Sequence, residues 1–127
     1  MQSRGCANYQ LFARMMAKPQ YTHNLYGDIS ALTQINRMRY IKPLLARPDW
    51  HARLLNGSDY PLPGVMPLFS VERIAASGLV SGDAVAPLNI LRHHNPLLFD
   101  FVLKRTLAWQ GTRFPDHVFE TKSVFMP

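Results

Sequence analysis

Arg53-Leu54-Leu55-Asn56-Gly57-Ser58-Asp59-Tyr60-Pro61-Leu62-Pro63-Gly64 is the stretch on which the fold turns. Residues 53–58 read as a strand, and the prolines and glycine after it force an irregular loop. Upstream, Asn24-Leu25-Tyr26-Gly27-Asp28-Ile29-Ser30-Ala31-Leu32 has no helical period and holds a glycine. It reads as a second short buried strand, with Asp28 and Ser30 on one side in need of a reason to be there. Both strands are followed by helical sequence that must return the chain, so they are expected to be parallel neighbours. In sheets of that kind functional groups collect beyond the carboxyl ends of the strands, where Asp59 falls.

Working outward, Asn8 to Lys18 sets Leu11, Phe12, Met15 and Met16 on one helical face and stops at Pro19. The basic, acid-free first 27 residues resemble an organelle transit peptide in composition, but this helix leading straight into strand-like sequence favours an ordinary folded segment. Gln34 to Ala46 spaces Ile35, Met38, Ile41 and Leu45 helically, with Pro43 as a kink or a fresh start. Val71 to Ala76 is a helix with Ser70 as N-cap and Gly78 as its stop, and Asp83 to His93 is another, with Pro87 kinking it or marking its first turn. Asn95-Pro96 opens a helix through Arg105 that is apolar nearly all round and so predicts burial. Its acid comes early and its bases late, as the helix dipole prefers. From Gln110 the glycine, proline and polar residues predict an extended tail over 110–127.

The chain has 127 residues, 47% of them apolar and 17% charged, which fits one domain with a core and excludes a disordered chain. A complete (β/α)8 barrel needs about 250 residues, so any barrel reading here concerns only part of one. Fourteen basic against eight acidic residues give a formal charge of +6, enough to attract polyanions without specifying any. The densest basic group, Arg37, Arg39, Lys42, Arg47 and Arg53, reads first as a solvated face, without the aromatic platform or motif of a specific nucleic-acid site. The single cysteine, Cys6, forms no internal disulfide, which suggests a reducing, cytoplasmic setting. No apolar run reaches the 18 or so residues of a membrane span.

Asp59, held between a strand and a Pro-rich loop, is the candidate for ligating a metal or taking a proton from bound water; the plain alternative is that it caps the turn. His51 precedes the same strand and would stand up to about 26 Å away at ~3.3 Å per residue, too far to share an ion. His23 likewise precedes its strand, His93 and His94 lack the i, i+4 spacing of a helical metal pair, and His117 lies in the tail. All five histidines read as structural or exposed. No nucleophile elbow surrounds Ser58, and no activating base is apparent near Cys6.

The stretch Arg53 to Pro61 resembles the last barrel strand of the amidohydrolase superfamily, particularly the amidohydrolase-related branch of TIM-barrel metal-dependent hydrolases and decarboxylases. Asn24 to Ala31 is similar to the preceding strand of that family, and Asn95-Pro96 with its apolar helix resembles the family's C-terminal helix, so the resemblance spans about residues 7 to 121. It implies a partial (β/α)8 barrel of C-terminal strands and helices only, with Asp59 matching the aspartate that binds the metal or shuttles a proton from metal-bound water. The family's His-x-His pair and its further histidines have no counterpart here. The resemblance therefore implies the C-terminal portion of a longer enzyme acting on a carbonyl-containing small molecule, with a divalent metal, zinc foremost, bound in the complete enzyme and none by this chain alone. Open strand edges would then make the chain self-associate or pair with the absent N-terminal portion. The competing reading is a small basic non-enzymatic α/β module that binds nucleic acid or a protein partner through Arg37 to Arg53.

Overall fold

A computed structural model describes residues 4–57 and 68–120. Helix α1 (Arg4–Ala17) leads through a 3-10 turn to strand β1 (Gly27–Asp28). A 3-10 turn at Met38–Tyr40 runs into the short helix α2 (Ile41–Leu45), and a second at Pro48–Arg53 delivers the chain to strand β2 (Leu54–Leu55). Helices α3 (Val71–Ala76), α4 (Val85–His94) and α5 (Pro96–Thr106) follow, then a hairpin of β3 (Ala108–Trp109) and β4 (Thr112–Arg113) and a 3-10 turn at Asp116–Phe119. Among the described residues the architecture is mixed α/β, mostly helical with small strands, and no complete barrel is formed.

β1 and β2 pair in parallel, Gly27 with Leu54 and Asp28 with Leu55, as the strand–helix order requires. The regular ladder is only two residues long, although Ile29 N–H donates to Leu55 C=O and carries the pairing one step further. Burial alternates with the period of a strand: Gly27, Ile29 and Leu54 are buried, while Tyr26 and Asp28 are exposed and Leu55 is half-buried. One face of the pair therefore packs on the core and the other is open. On the packed face, a Cβ added to Gly27 would sit 2.9 Å from both Leu54 Cδ2 and Phe12 Cζ, so α1 lies against the strand as closely as a glycine permits.

The core is continuous, running from Met16 on α1 through Ile29, Leu44, Trp50 and Leu54 to Ile74, Leu88, Phe99, Leu103 and Val118. Caps fix the helices where local chemistry foretells them. Ser70 Oγ accepts from Arg73 N–H at the start of α3, Gly78 turns the chain after it at φ 83°, and Asn95 Oδ1 accepts from Leu98 N–H at the start of α5. Pro87 falls in the first turn of α4, where its missing N–H leaves no helical bond unmade.

Three expectations change. Between Gln34 and Ala46 the chain makes separate short turns, because Ile35 N–H is taken by Leu68 C=O and Gln34 bridges Phe69 in antiparallel fashion. From Gln110 the chain is not extended: Gln110 (φ 51°) and Gly111 (φ 80°) make the tight turn of the β3–β4 hairpin, and Phe114 and Val118 return to the core. Residues 121–127 lie outside the described residues. Finally, α5 buries one face only; Phe99, Asp100, Leu103 and Lys104 point inward, whereas Leu97, Leu98 and Phe101 are exposed.

Candidate functional site at the strand ends

The carboxyl ends of β1 and β2 meet the inner face of α5 in a cluster of polar groups. Asp28, the last residue of β1, turns one carboxylate oxygen inward: Oδ1 accepts from Ser30 N–H at 2.9 Å, from Ser30 Oγ–H, and from Gly57 N–H at 3.3 Å. Asp28 and Ser30 thus have the reason that their sequence position demanded, since they tie the end of β1 to the end of β2. Gly57 leaves no room for a side chain there unless Ser30 shifts. A Cβ on it would stand 2.6 Å from Ser30 Oγ, inside any tolerable contact.

Lys104 holds the cluster from below. Its ammonium donates to Ser30 C=O at 2.9 Å, Asn56 Oδ1 at 2.8 Å and Gly57 C=O at 3.0 Å, and it lies 2.9 and 3.0 Å from the two Asp100 oxygens. The Lys104 and Asp100 side chains are 0% and 1% exposed. A buried ammonium is tolerated only when its charge is paired and its three protons are directed at acceptors, and this one meets both conditions. Because its acceptors lie just past β1, just past β2 and on α5, Lys104 ties three segments of the chain into one corner. Its protons are all directed at groups of this corner.

The sequence marks Asp28 and Ser30 as polar positions in need of a reason, without giving them a site role, and does not single out Asn56, Asp100 or Lys104. The available signal was Asp100 inside the run Leu97 to Leu103, where charge is out of place unless partnered, with Lys104 four residues on at the end of that run. Asp59, the expected metal ligand and proton acceptor, lies outside the described residues, as does the Pro-rich loop. The chain reaches Gly57 beside Asp28 and Ser30.

The histidines behave as the sequence reading has them. His51 is buried and its Nε2 donates to Leu44 C=O at 3.0 Å, while His117 Nε2 donates to His51 C=O at 2.8 Å. Carbonyls only accept, so Nε2 carries the proton in both rings. His23, His93 and His94 are exposed. Among the described residues no group of three or more His, Cys, Asp or Glu side chains could hold a metal. Asp28 offers one oxygen beyond its internal bonds, and Asp100 is committed to Lys104, so the described residues do not by themselves fit a divalent ion.

The basic group does not act as one surface. Lys42 lies 4.0 Å over the Trp109 ring, Arg47 stacks 3.9 Å over Trp50 and pairs with Asp49, and Arg53 donates to Met16 C=O at the end of α1. Arg37 and Arg39 instead line a cavity of about 460 Å³ beside Asp28. No helix among the described residues is long and apolar enough to cross a membrane. No protein-family model, curated protein or solved structure matches the chain.

Proposed function

We propose that this chain is the C-terminal part of a metal-dependent, amidohydrolase-like barrel enzyme that hydrolyses or decarboxylates a carbonyl-containing small molecule. The observation that carries this reading is the parallel β1–β2 pair with one face open and its polar groups gathered at the carboxyl ends. Strands of a (β/α)8 barrel are buried on both faces, with chemistry at the carboxyl end. The face bearing Tyr26, Asp28 and Leu55 is the one that further strands would close over, and the resemblance of Arg53 to Pro61 to a final barrel strand points the same way.

On this reading the ordered corner made by Asp28, Gly57 and Lys104 presents the segment that carries Asp59. Asp59 would contribute to the metal site, with the remaining ligands supplied by strands outside residues 1–127. A bound metal would polarise the substrate carbonyl and lower the pKa of water. The exposed apolar residues of α5 and the open strand face would be covered by those missing units, or by a second copy when the chain stands alone.

The test is to read the coding DNA upstream of Met1 for a continuous frame encoding a strand followed by His-x-His, and to express the longer product. The proposal expects zinc-dependent turnover of simple esters, amides or β-keto acids that is abolished by chelation and by Asp59→Asn. A frame without the histidine pair, or full metal-dependent turnover in the Asp59→Asn variant, overturns it.

A further inference from the structure

The cavity beside Asp28 is walled by four elements that meet only in the folded chain. Phe12 from α1, Leu54 from β2, Leu44 from α2 and Leu32 from the intervening segment give it an apolar floor. Tyr9 and Tyr40 form one wall as a stacked pair, with ring centroids 4.7 Å apart and planes 10° from parallel. Arg37 and Arg39 stand on the lining, both exposed, with the Arg39 guanidinium 5.2 Å from the Tyr40 ring centroid. Of the five cations clustered in sequence, three are spent on Trp109, Trp50 with Asp49, and the α1 terminus. Neither Arg37 nor Arg39 is paired with a carboxylate among the described residues.

We propose that this cavity binds a small organic monoanion, a carboxylate carried on an apolar body of about the size of an aromatic ring. The volume of about 460 Å³ lies within the range of small-molecule sites, which are mostly apolar with a few convergent polar groups. A planar carboxylate suits guanidinium donors, which present paired N–H groups in a fixed fork. The apolar floor then takes the body of the ligand, beside the Tyr9–Tyr40 stack. Asp28, on the same lining, repels a second negative charge and so selects against dianions. Burial raises the Tyr9 phenol above its ordinary pKa. This inference does not depend on the hydrolase reading, because it concerns residues described in this chain and needs no metal.

Benzoate is the probe, titrated into the full chain by calorimetry at low ionic strength, with benzamide as the neutral isostere. The expected result is saturable 1:1 binding of benzoate, at least about tenfold weaker binding of benzamide, and a similar loss in Arg37→Gln/Arg39→Gln. Both arginines are exposed, so the double variant should melt as the parent does; a melt is recorded to show it. Arg73→Gln/Arg113→Gln removes the same charge from exposed positions that do not line the cavity and should leave benzoate affinity within about twofold. Equal binding of benzoate and benzamide, equal losses in the two double variants, or no saturable binding up to about 10 mM would each overturn the proposal.

Discussion

The helical stretch from Ser70 to Leu107 and the strand pair β1–β2 are held by different kinds of information. In the helical stretch the decisive groups are close in sequence: Ser70 caps three residues on, Asn95 caps three residues on, and Gly78 ends α3 from just beyond its last turn. In the strand pair they are far apart, with Lys104 reaching acceptors on residues 74, 48 and 47 positions away. Local chemistry suffices where each bond closes a short loop. The strand ends, with two-residue ladders, depend on a contact that forms only when the chain is almost wholly folded.

The largest effect should come from cutting that long-range contact. Lys104→Met leaves the buried Asp100 carboxylate without its cation and three acceptors without a donor, and should destabilise the chain by about 3–5 kcal/mol in chemical denaturation. Pairing it with Asp100→Leu removes the stranded charge and should recover part of that loss. If Lys104→Met costs no more than a cap deletion, the two regions do not differ as described.

Glycines sharpen the contrast at intermediate magnitude. Gly57→Ala meets Ser30 Oγ, and Gly27→Ala meets both Leu54 and Phe12, so each should cost about 1–3 kcal/mol. A Cβ added to Gly82, in the helical stretch, meets nothing within 4 Å, and Gly82→Ala should change the melting temperature little. Asn95→Ala and Ser70→Ala should each cost about 1 kcal/mol, the usual worth of an N-cap, and their effects should add because the two sites are independent.

The smallest effect is expected at Asp49. The Arg47 guanidinium, hydrogen-bonded to it, holds its carboxyl below the usual carboxylate range. A depressed folded-state pKa gives stability that is present above the unfolded value and is lost as pH falls through the folded one. Both side chains are largely exposed, so solvent screens the pair and Asp49→Asn should change stability near neutral pH by less than about 1 kcal/mol, less still in high salt.

These differences explain what was legible in the sequence. The caps at Ser70 and Asn95, the stop at Gly78 and the parallel pairing of β1 with β2 follow from residue types and order. The hairpin at Gln110–Gly111 was hidden because glutamine rarely adopts positive φ, so the turn looked like the start of a tail. Lys104 was hidden for a different reason. On a helix diagram Asp100 and Lys104 form an ordinary i, i+4 ion pair of the kind found on surfaces, and only the arrival of Ser30, Asn56 and Gly57 beside them makes burial tolerable. A sequence shows that a charge sits within an apolar run; it does not show which distant carbonyls will meet it. For the same reason Arg37 and Arg39 could not be separated from Lys42 and Arg53, whose partners lie on distant elements; only Arg47, beside Asp49 and Trp50, has its partners close in sequence.

Amide hydrogen exchange on the parent chain and on Lys104→Met tests most directly whether this buried lysine holds the strand ends together. The reporters are Ile29 N–H, which donates to Leu55 C=O, and Asn56 N–H, which donates to Val118 C=O. In the parent both should exchange as slowly as the most protected amides of α5, because they open only with the core. In Lys104→Met, under conditions where α5 still exchanges slowly, both should lose protection by at least an order of magnitude. Rapid exchange of Ile29 and Asn56 in the parent, or unchanged protection in the variant, would contradict the account.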